Sequence, residues 1–206
     1  MDDQYFTDQE PATADQLRTL HLGVRGLDLR MQVSDRVFSG SRLDLGTRQL
    51  LAEAPALPGS GTFLDLGCGW GPLAVTMAQE SPGGRVWAVD VNTRALDLAR
   101  RNASANGVGD RVEVARAEEA LEAARTQGVR FDVIWSNPPV RIGKDAMHTM
   151  LTDWLSLLAG DGVAHLVVQR NLGADSLIAW LNAEGFPASK IASKKGYRII
   201  EVHPHR

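Results

Sequence analysis

From residue 62 to residue 202 the chain repeats one phrase, a short apolar run followed by a longer stretch with helical spacing. The apolar runs fall at Thr62–Leu66, Arg85–Val89, Val112–Ala115, Phe131–Trp135, Val163–Val168 and Tyr197–Val202, with a seventh near Ala188–Ala192. The stretches between them predict helices over Pro72–Gln79, Thr93–Asn106, Glu118–Thr126, 144–158 and Asp175–Asn182. In 144–158, Met147, Met150, Leu151, Trp154, Leu155 and Leu158 share one apolar face, as a core helix requires. Few folds accept this alternation. Strands that run the same way need long crossovers, and right-handed crossovers place helices on both faces of the sheet. The expected class is α/β, a doubly wound and mostly parallel sheet of seven strands.

The first 58 residues follow another rhythm. Leu20, Leu22 and Val24 alternate with polar or small residues, as do Leu27, Leu29, Met31 and Val33, with Arg25-Gly26 between them as a turn. That predicts a β-hairpin over 18–33. Leu45, Leu50 and Leu51 then carry helical spacing up to Pro55. At roughly 150 residues per domain, a chain of 206 residues reads as one domain, with 1–58 an N-terminal extension and 59–206 the core. A hydrophobic content of 44% and a charged content of 23% exclude a disordered or collagen-like chain. The single cysteine, Cys68, has no partner for an internal disulfide, and Met1-Asp2-Asp3 is acidic where a secretory leader is basic. With no apolar run of membrane length, the expectation is a cytoplasmic protein without membrane contact.

Charge is unevenly spread. The net value is −3, yet residues 187–206 carry Lys190, Lys194, Lys195, Arg198 and Arg206 against Glu201 alone. Residues 1–20 carry five acids against Arg18. Such asymmetry can place a basic face on an acidic protein. The five histidines have no ligand spacing, so no metal is expected.

In doubly wound sheets ligands bind beyond the carboxyl ends of the strands, where the strand order reverses. The first core strand ends Asp65-Leu66-Gly67-Cys68-Gly69-Trp70-Gly71, a turn whose glycines let backbone approach a ligand. The second ends in Asp90-Val91-Asn92, and a carboxylate there can accept from both hydroxyls of a ribose. A nicotinamide dinucleotide and S-adenosylmethionine compete for this site. The dinucleotide fingerprint spaces its glycines GxGxxG to seat a pyrophosphate. Here the spacing is Gly-x-Gly-x-Gly, and Asp65 would oppose a pyrophosphate while suiting the ammonium of a methionine moiety. The turn favours S-adenosylmethionine.

Asn137-Pro138-Pro139 follows the fourth core strand, across the crevice from the glycine turn. Proline after Asn137 forces it out of helical geometry, and the second proline stiffens the turn. The Asn137 side-chain oxygen and the Pro138 carbonyl are then two fixed acceptors, suited to an exocyclic amine with two N–H donors. Hydrogen bonds to both protons turn the nitrogen lone pair outward and stabilise the charge it acquires on alkylation.

With these residues in place, the chain resembles the Rossmann-like class I S-adenosylmethionine-dependent methyltransferases that carry Asn-Pro-Pro. More narrowly it resembles the small-subunit ribosomal RNA guanine methyltransferase family and its short, single-domain relatives. The most specific stretches are Val37-Phe38-Ser39, Leu43-Asp44-Leu45-Gly46-Thr47, Leu50-Leu51, Ser136 through Lys144, and Lys195-Gly196-Tyr197-Arg198. The resemblance implies that Asp65, Gly67 and Gly69 hold the methionine end and that Asp90 holds the ribose, with Cys68, Val91 and Asn92 beside them among the cofactor-binding residues. Ala117 and Glu118 fall where the family keeps its adenine contacts. Asn137, Pro138 and Pro139 would be catalytic, with Asn137 also facing the cofactor. Members that stack adenine or glutamine have an aromatic after the second proline, where this chain has Val140, so Phe38 is the candidate to flank the base. Larger members carry an extra amino-terminal domain. Here Arg141, Lys144, Lys194, Lys195 and Arg198 would dock the RNA or the small ribosomal subunit. The alternatives are methylation of adenine in RNA or DNA, or of a protein glutamine. A nicotinamide-dependent oxidoreductase and a non-catalytic RNA-binding module are the readings from other classes.

Overall fold

The computed structural model describes residues 10–35, 37, 39, 42–139 and 142–205. A hairpin, β1 (Leu17–Val24) and β2 (Leu27–Ser34), comes first, then α1 (Leu45–Glu53). The core follows as β3 (Ser60–Leu66), α2 (Pro72–Glu80), β4 (Gly83–Asp90), α3 (Thr93–Ala105), β5 (Val112–Arg116) and α4 (Ala117–Gln127). It continues as β6 (Phe131–Ser136), α5 (Lys144–Leu155), β7 (Leu158–Gln169), α6 (Ala174–Ala183), β8 (Ala188–Lys194) and β9 (Tyr197–Val202). The seven-stranded sheet has the order β5-β4-β3-β6-β7-β9-β8. Pairs from β5 through β7 are parallel, and β9 runs antiparallel to both β7 and β8. The doubly wound class is therefore as expected. The chain leaves β3 in one direction for β4 and β5, then returns to β3's other side as β6. That reversal opens a crevice between the ends of β3 and β6.

Alternate residues of each strand feed two apolar layers. Phe63, Val86, Ala88 and Trp135 face the layer shared with the hairpin, α1, α2 and α3. Leu64, Trp87, Ile134 and Ile200 face the layer of α4, α5 and α6. Leu22, Leu29, Met31, Leu50 and Leu51 join the first layer, so the amino-terminal extension closes the core instead of decorating it.

Two polar side chains fix that closure. Arg25 and Gly26 both have positive φ, 50° and 77°, the signature of a primed hairpin turn. The Arg25 guanidinium donates to the carbonyls of Leu51 at 2.9 Å and Ala54 at 2.8 Å, closing the open end of α1, and it also pairs with Glu80. Asn102 of α3 accepts from Gln32 N at 2.6 Å and donates to the carbonyls of Gln32 and Trp70, both at 2.8 Å. One amide thereby joins the hairpin to the glycine turn.

One boundary differs from expectation. Leu158 opens β7 instead of closing α5, because Phe131 N donates to Leu157 O and the chain is captured alongside β6. Gly162 makes this possible, since a Cβ there would sit 2.6 Å from the Phe131 carbonyl. Among the described residues no helix is long and apolar enough to cross a membrane, and no group of three or more His, Cys, Asp and Glu is placed to hold a metal ion.

Candidate active site

The turn after β3 holds Gly67, Gly69 and Gly71 at φ of 77°, 54° and 86°, the left-handed region that disfavours side chains. Gly71 has a second reason to be glycine, because a Cβ there would press on Ala99 of α3 at 3.2 Å. Four of the turn's five amides are spoken for. Gly67 and Cys68 both donate to Val89 O at 2.9 Å, Gly71 donates to Cys68 O at 2.8 Å, and Gly69 donates to Asp90 Oδ2 at 2.9 Å. Pro72 brings no N–H to the first turn of α2, and Ala74 N donates to Asp65 Oδ2 at 2.8 Å. A pyrophosphate would need such donors for itself. The turn is built against a dinucleotide.

Asp65 lies beneath the turn, fully buried, and does not line the cleft described below. Burial pushes its carboxyl up to about 8, the Ala74 bond opposing and the Asp90 charge adding to the rise. Its Oδ1 has no hydrogen-bond partner. Cys68 is buried too, and burial followed by the charges of Asp90 and Asp65 raises its thiol well above the usual range. What Cys68 contributes is backbone.

A cleft of about 740 Å³ opens over the carboxyl ends of the parallel strands. Gly67, Gly69, Asp90, Val91, Asn92, Ala117 and Glu118 form one wall. Asp90 closes β4, its Oδ2 accepting from Gly69 and its Oδ1 from Asn92 N at 3.0 Å. Burial raises this carboxyl as well, while those backbone bonds oppose the rise. Each oxygen offers a second lone pair, so the carboxylate can still receive hydroxyl donors. The Asn92 side chain caps α3, accepting from Arg94 N at 2.9 Å and Ala95 N at 3.2 Å. Ala117 and Glu118 open α4 at the lip.

The opposite wall holds Asn137, Pro138, Pro139, Asp44 and Tyr197. Ser136 at the end of β6 donates to Leu66 O at 2.7 Å, which sets the Asn137 backbone against β3. Asn137 Nδ2 donates to Asp44 Oδ2 at 2.8 Å and to Thr47 Oγ1 at 3.1 Å. Asp44 is the N-cap of α1, the same oxygen accepting from Thr47 N at 3.0 Å. Tyr197 is half-buried beside α1, and a Cβ on Gly46 would meet its ring at 3.0 Å. Burial, and then the Asp44 charge, raise the Tyr197 hydroxyl above its usual range. Sequence reasoning gave no site role to Asp44, Thr47 or Tyr197, although all three lie in the stretches that carry the family resemblance.

The expected docking cations divide. Lys144 is exposed at the start of α5, near the lip. Arg198 is paired with Asp175, Nε lying 2.6 Å from Oδ1, and Lys194 with Glu53 at 2.8 Å. Phe38, Val140 and Arg141 lie outside the described residues.

Residues 28–201 match the family model described as methyltransferase small domain. The chain belongs to that family. Among relatives of this methyltransferase, an uncharacterised Bacillus subtilis protein named YbxB is 30% identical over 204 residues, 98% of each chain. The ribosomal RNA small subunit methyltransferase C of Aeromonas hydrophila is 36% identical over 120 residues, 58% of this chain and 33% of that protein. The T. thermophilus 16S rRNA N2 G1207 methyltransferase, solved with AdoMet and guanosine, superposes with a TM-score of 0.78 at 22% identity. That likeness covers 95% of this chain and 52% of the other. The methyltransferase thus spans about a third to half the length of those two proteins, and almost all of the Bacillus one.

The cofactor that goes with this membership is S-adenosylmethionine. The residues present fit it. The cleft has room, Gly67 and Gly69 leave more than 4 Å clear where side chains would stand, and Asp90 presents carboxylate lone pairs at the end of β4, whereas the buried Asp65, expected at the methionine end, does not reach the cleft. Gly67, Gly69, Asp90, Ala117 and Glu118 line the cleft and are the residues that would hold it.

Proposed function

We propose that this methyltransferase modifies the exocyclic amine of a guanine in small-subunit ribosomal RNA. S-adenosylmethionine supplies a methyl group made electrophilic by its sulfonium. The observation that carries the reading is the Asn137 carboxamide on the cleft wall, whose nitrogen is spent on Asp44 and Thr47, so that Oδ1 is the group left to accept. Oδ1 and the Pro138 carbonyl receive the two N–H groups of the amine and hold its lone pair toward the cofactor wall. Most of the rate then comes from alignment and from stabilising positive charge on nitrogen. No strong base is required, since the alkylated nitrogen becomes acidic enough to lose its proton to solvent.

The acceptor identity draws its support from the names of the relatives, one a small-subunit RNA methyltransferase and one a 16S rRNA N2 enzyme. Tyr197 supplies the aromatic surface that position 140 lacks. Lys144 and Lys195 contact phosphate, and Arg141 joins them. Purified protein is incubated with S-adenosylmethionine and small-subunit RNA, and the digested nucleosides are analysed by mass spectrometry. N2-methylguanosine is the expected product. Methyladenosine, or modified glutamine in a protein fraction with no modified nucleoside, overturns the reading.

A further inference from the structure

An asparagine carboxamide has two faces that look alike in shape and are opposite in chemistry. Facing the cleft with oxygen, Asn137 would take an N–H donor. Facing it with nitrogen, it would take a carbonyl or a ring nitrogen. Nothing in the Asn-Pro-Pro turn itself decides between them, because both proline rings are blind to the flip.

We infer that Asp44 is the positioning residue that makes this decision, with Thr47 in support, and that the pair restricts the acceptor to an N–H donor. Asp44 Oδ2 lies 2.8 Å from one terminal atom of the Asn137 side chain, and a carboxylate only accepts. That terminal atom must therefore be nitrogen. Thr47 Oγ1, 3.1 Å from the same nitrogen, can serve either role and would not choose alone. Asp44 is in turn fixed by the helix it caps, through Thr47 N at 3.0 Å. The flip is thus set by a residue 93 positions away in the chain. A second effect has the same sign. Negative charge on Asp44 polarises the carboxamide so that Oδ1 becomes a stronger acceptor, at the moment when the amine nitrogen turns positive.

The inference rests on the proposed amino-acceptor chemistry, and its test separates the two. Three variants are compared with wild type. Asp44→Ser keeps an N-cap side chain but is too short to reach Asn137. Asp44→Asn keeps the cap and a neutral acceptor at full length. Asn137→Ala marks the resonances of the carboxamide. In wild type the Asn137 side-chain amide protons should be shifted downfield and slow to exchange, and in Asp44→Ser they should move to free-amide values. Single-turnover methyl transfer to RNA should fall about 100-fold in Asp44→Ser, with S-adenosylmethionine affinity and melting temperature close to wild type. Asp44→Asn should recover most of that loss. Amide protons already at free values in wild type, or Asp44→Ser with wild-type turnover, overturn the inference. If wild type methylates no RNA, the acceptor reading fails, and the amide resonances still decide whether Asp44 sets the flip.

Discussion

The two walls of the cleft are held by different means. On the glycine-turn side, each strand ends in its own short motif, and backbone amides bonded within the protein hold most of the wall in shape. Gly67, Cys68 and Gly71 bond to carbonyls, and Asp90 gathers Gly69 and Asn92. On the Asn137 side, three distant segments meet through side chains. Asp44 comes from the start of α1, Asn137 from the end of β6 and Tyr197 from the start of β9. A wall made of backbone can keep its ligand while most side chains around it change. A wall made of side chains can be retuned by a single substitution, which makes it the natural seat of acceptor choice.

If that contrast is right, damage to the walls should appear in different constants. Asn137→Ala should lower kcat by about 100- to 1,000-fold, leaving S-adenosylmethionine affinity within about threefold. Equal losses in both, read by stopped-flow and calorimetry, would erase the distinction. Asp90→Ala should act in reverse, weakening the cofactor by about 10- to 100-fold through lost charge-assisted hydrogen bonds. Unchanged calorimetric affinity would remove Asp90 from the cofactor wall. Tyr197→Ala should raise the KM for RNA about tenfold, the value of one base-stacking contact, while Tyr197→Phe leaves it unchanged. A phenylalanine variant as impaired as alanine would assign the role to the hydroxyl instead.

The smallest effect concerns the ground beneath the backbone wall. The folded pKa of Asp65, about 8, stands above its ordinary 3.8, so the folded state holds the proton more tightly. The stability this confers is complete below about pH 4 and is lost as pH rises to about 8. The melting temperature of wild type minus that of Asp65→Asn should therefore shrink by several degrees across this window, at roughly 2–4 °C per kcal/mol. A difference that stays flat from pH 4 to 9 would show that Asp65 is already ionised in the fold.

The same contrast governs what could be read from the sequence. The sheet was legible because its strands and helices announce themselves in local periodicity, and crossover rules then leave few orders open. The glycine turn, Asp90 and Asn137 were legible because each directly follows a strand. Asp44 is the N-cap of α1, and nothing in its neighbourhood pointed to an asparagine 93 residues on. Arg198 read as a surface cation because its partner Asp175 sits on another element. The early start of β7 was hidden by Gly160-Asp161-Gly162, a polar and flexible-looking stretch whose last glycine exists to let Phe131 come close.

Asn102 has a consequence for anyone treating this chain as interchangeable parts. Its single amide grips both a hairpin strand and the Trp70 carbonyl of the glycine turn. Severed at Pro58-Gly59, the chain would yield two pieces of one interior, each with a raw apolar face. Grafted onto another docking module, residues 59–206 would keep Asn102 on the Trp70 carbonyl but lose its grip on Gln32 and the apolar cover the hairpin supplies. The hairpin has to travel with the pocket.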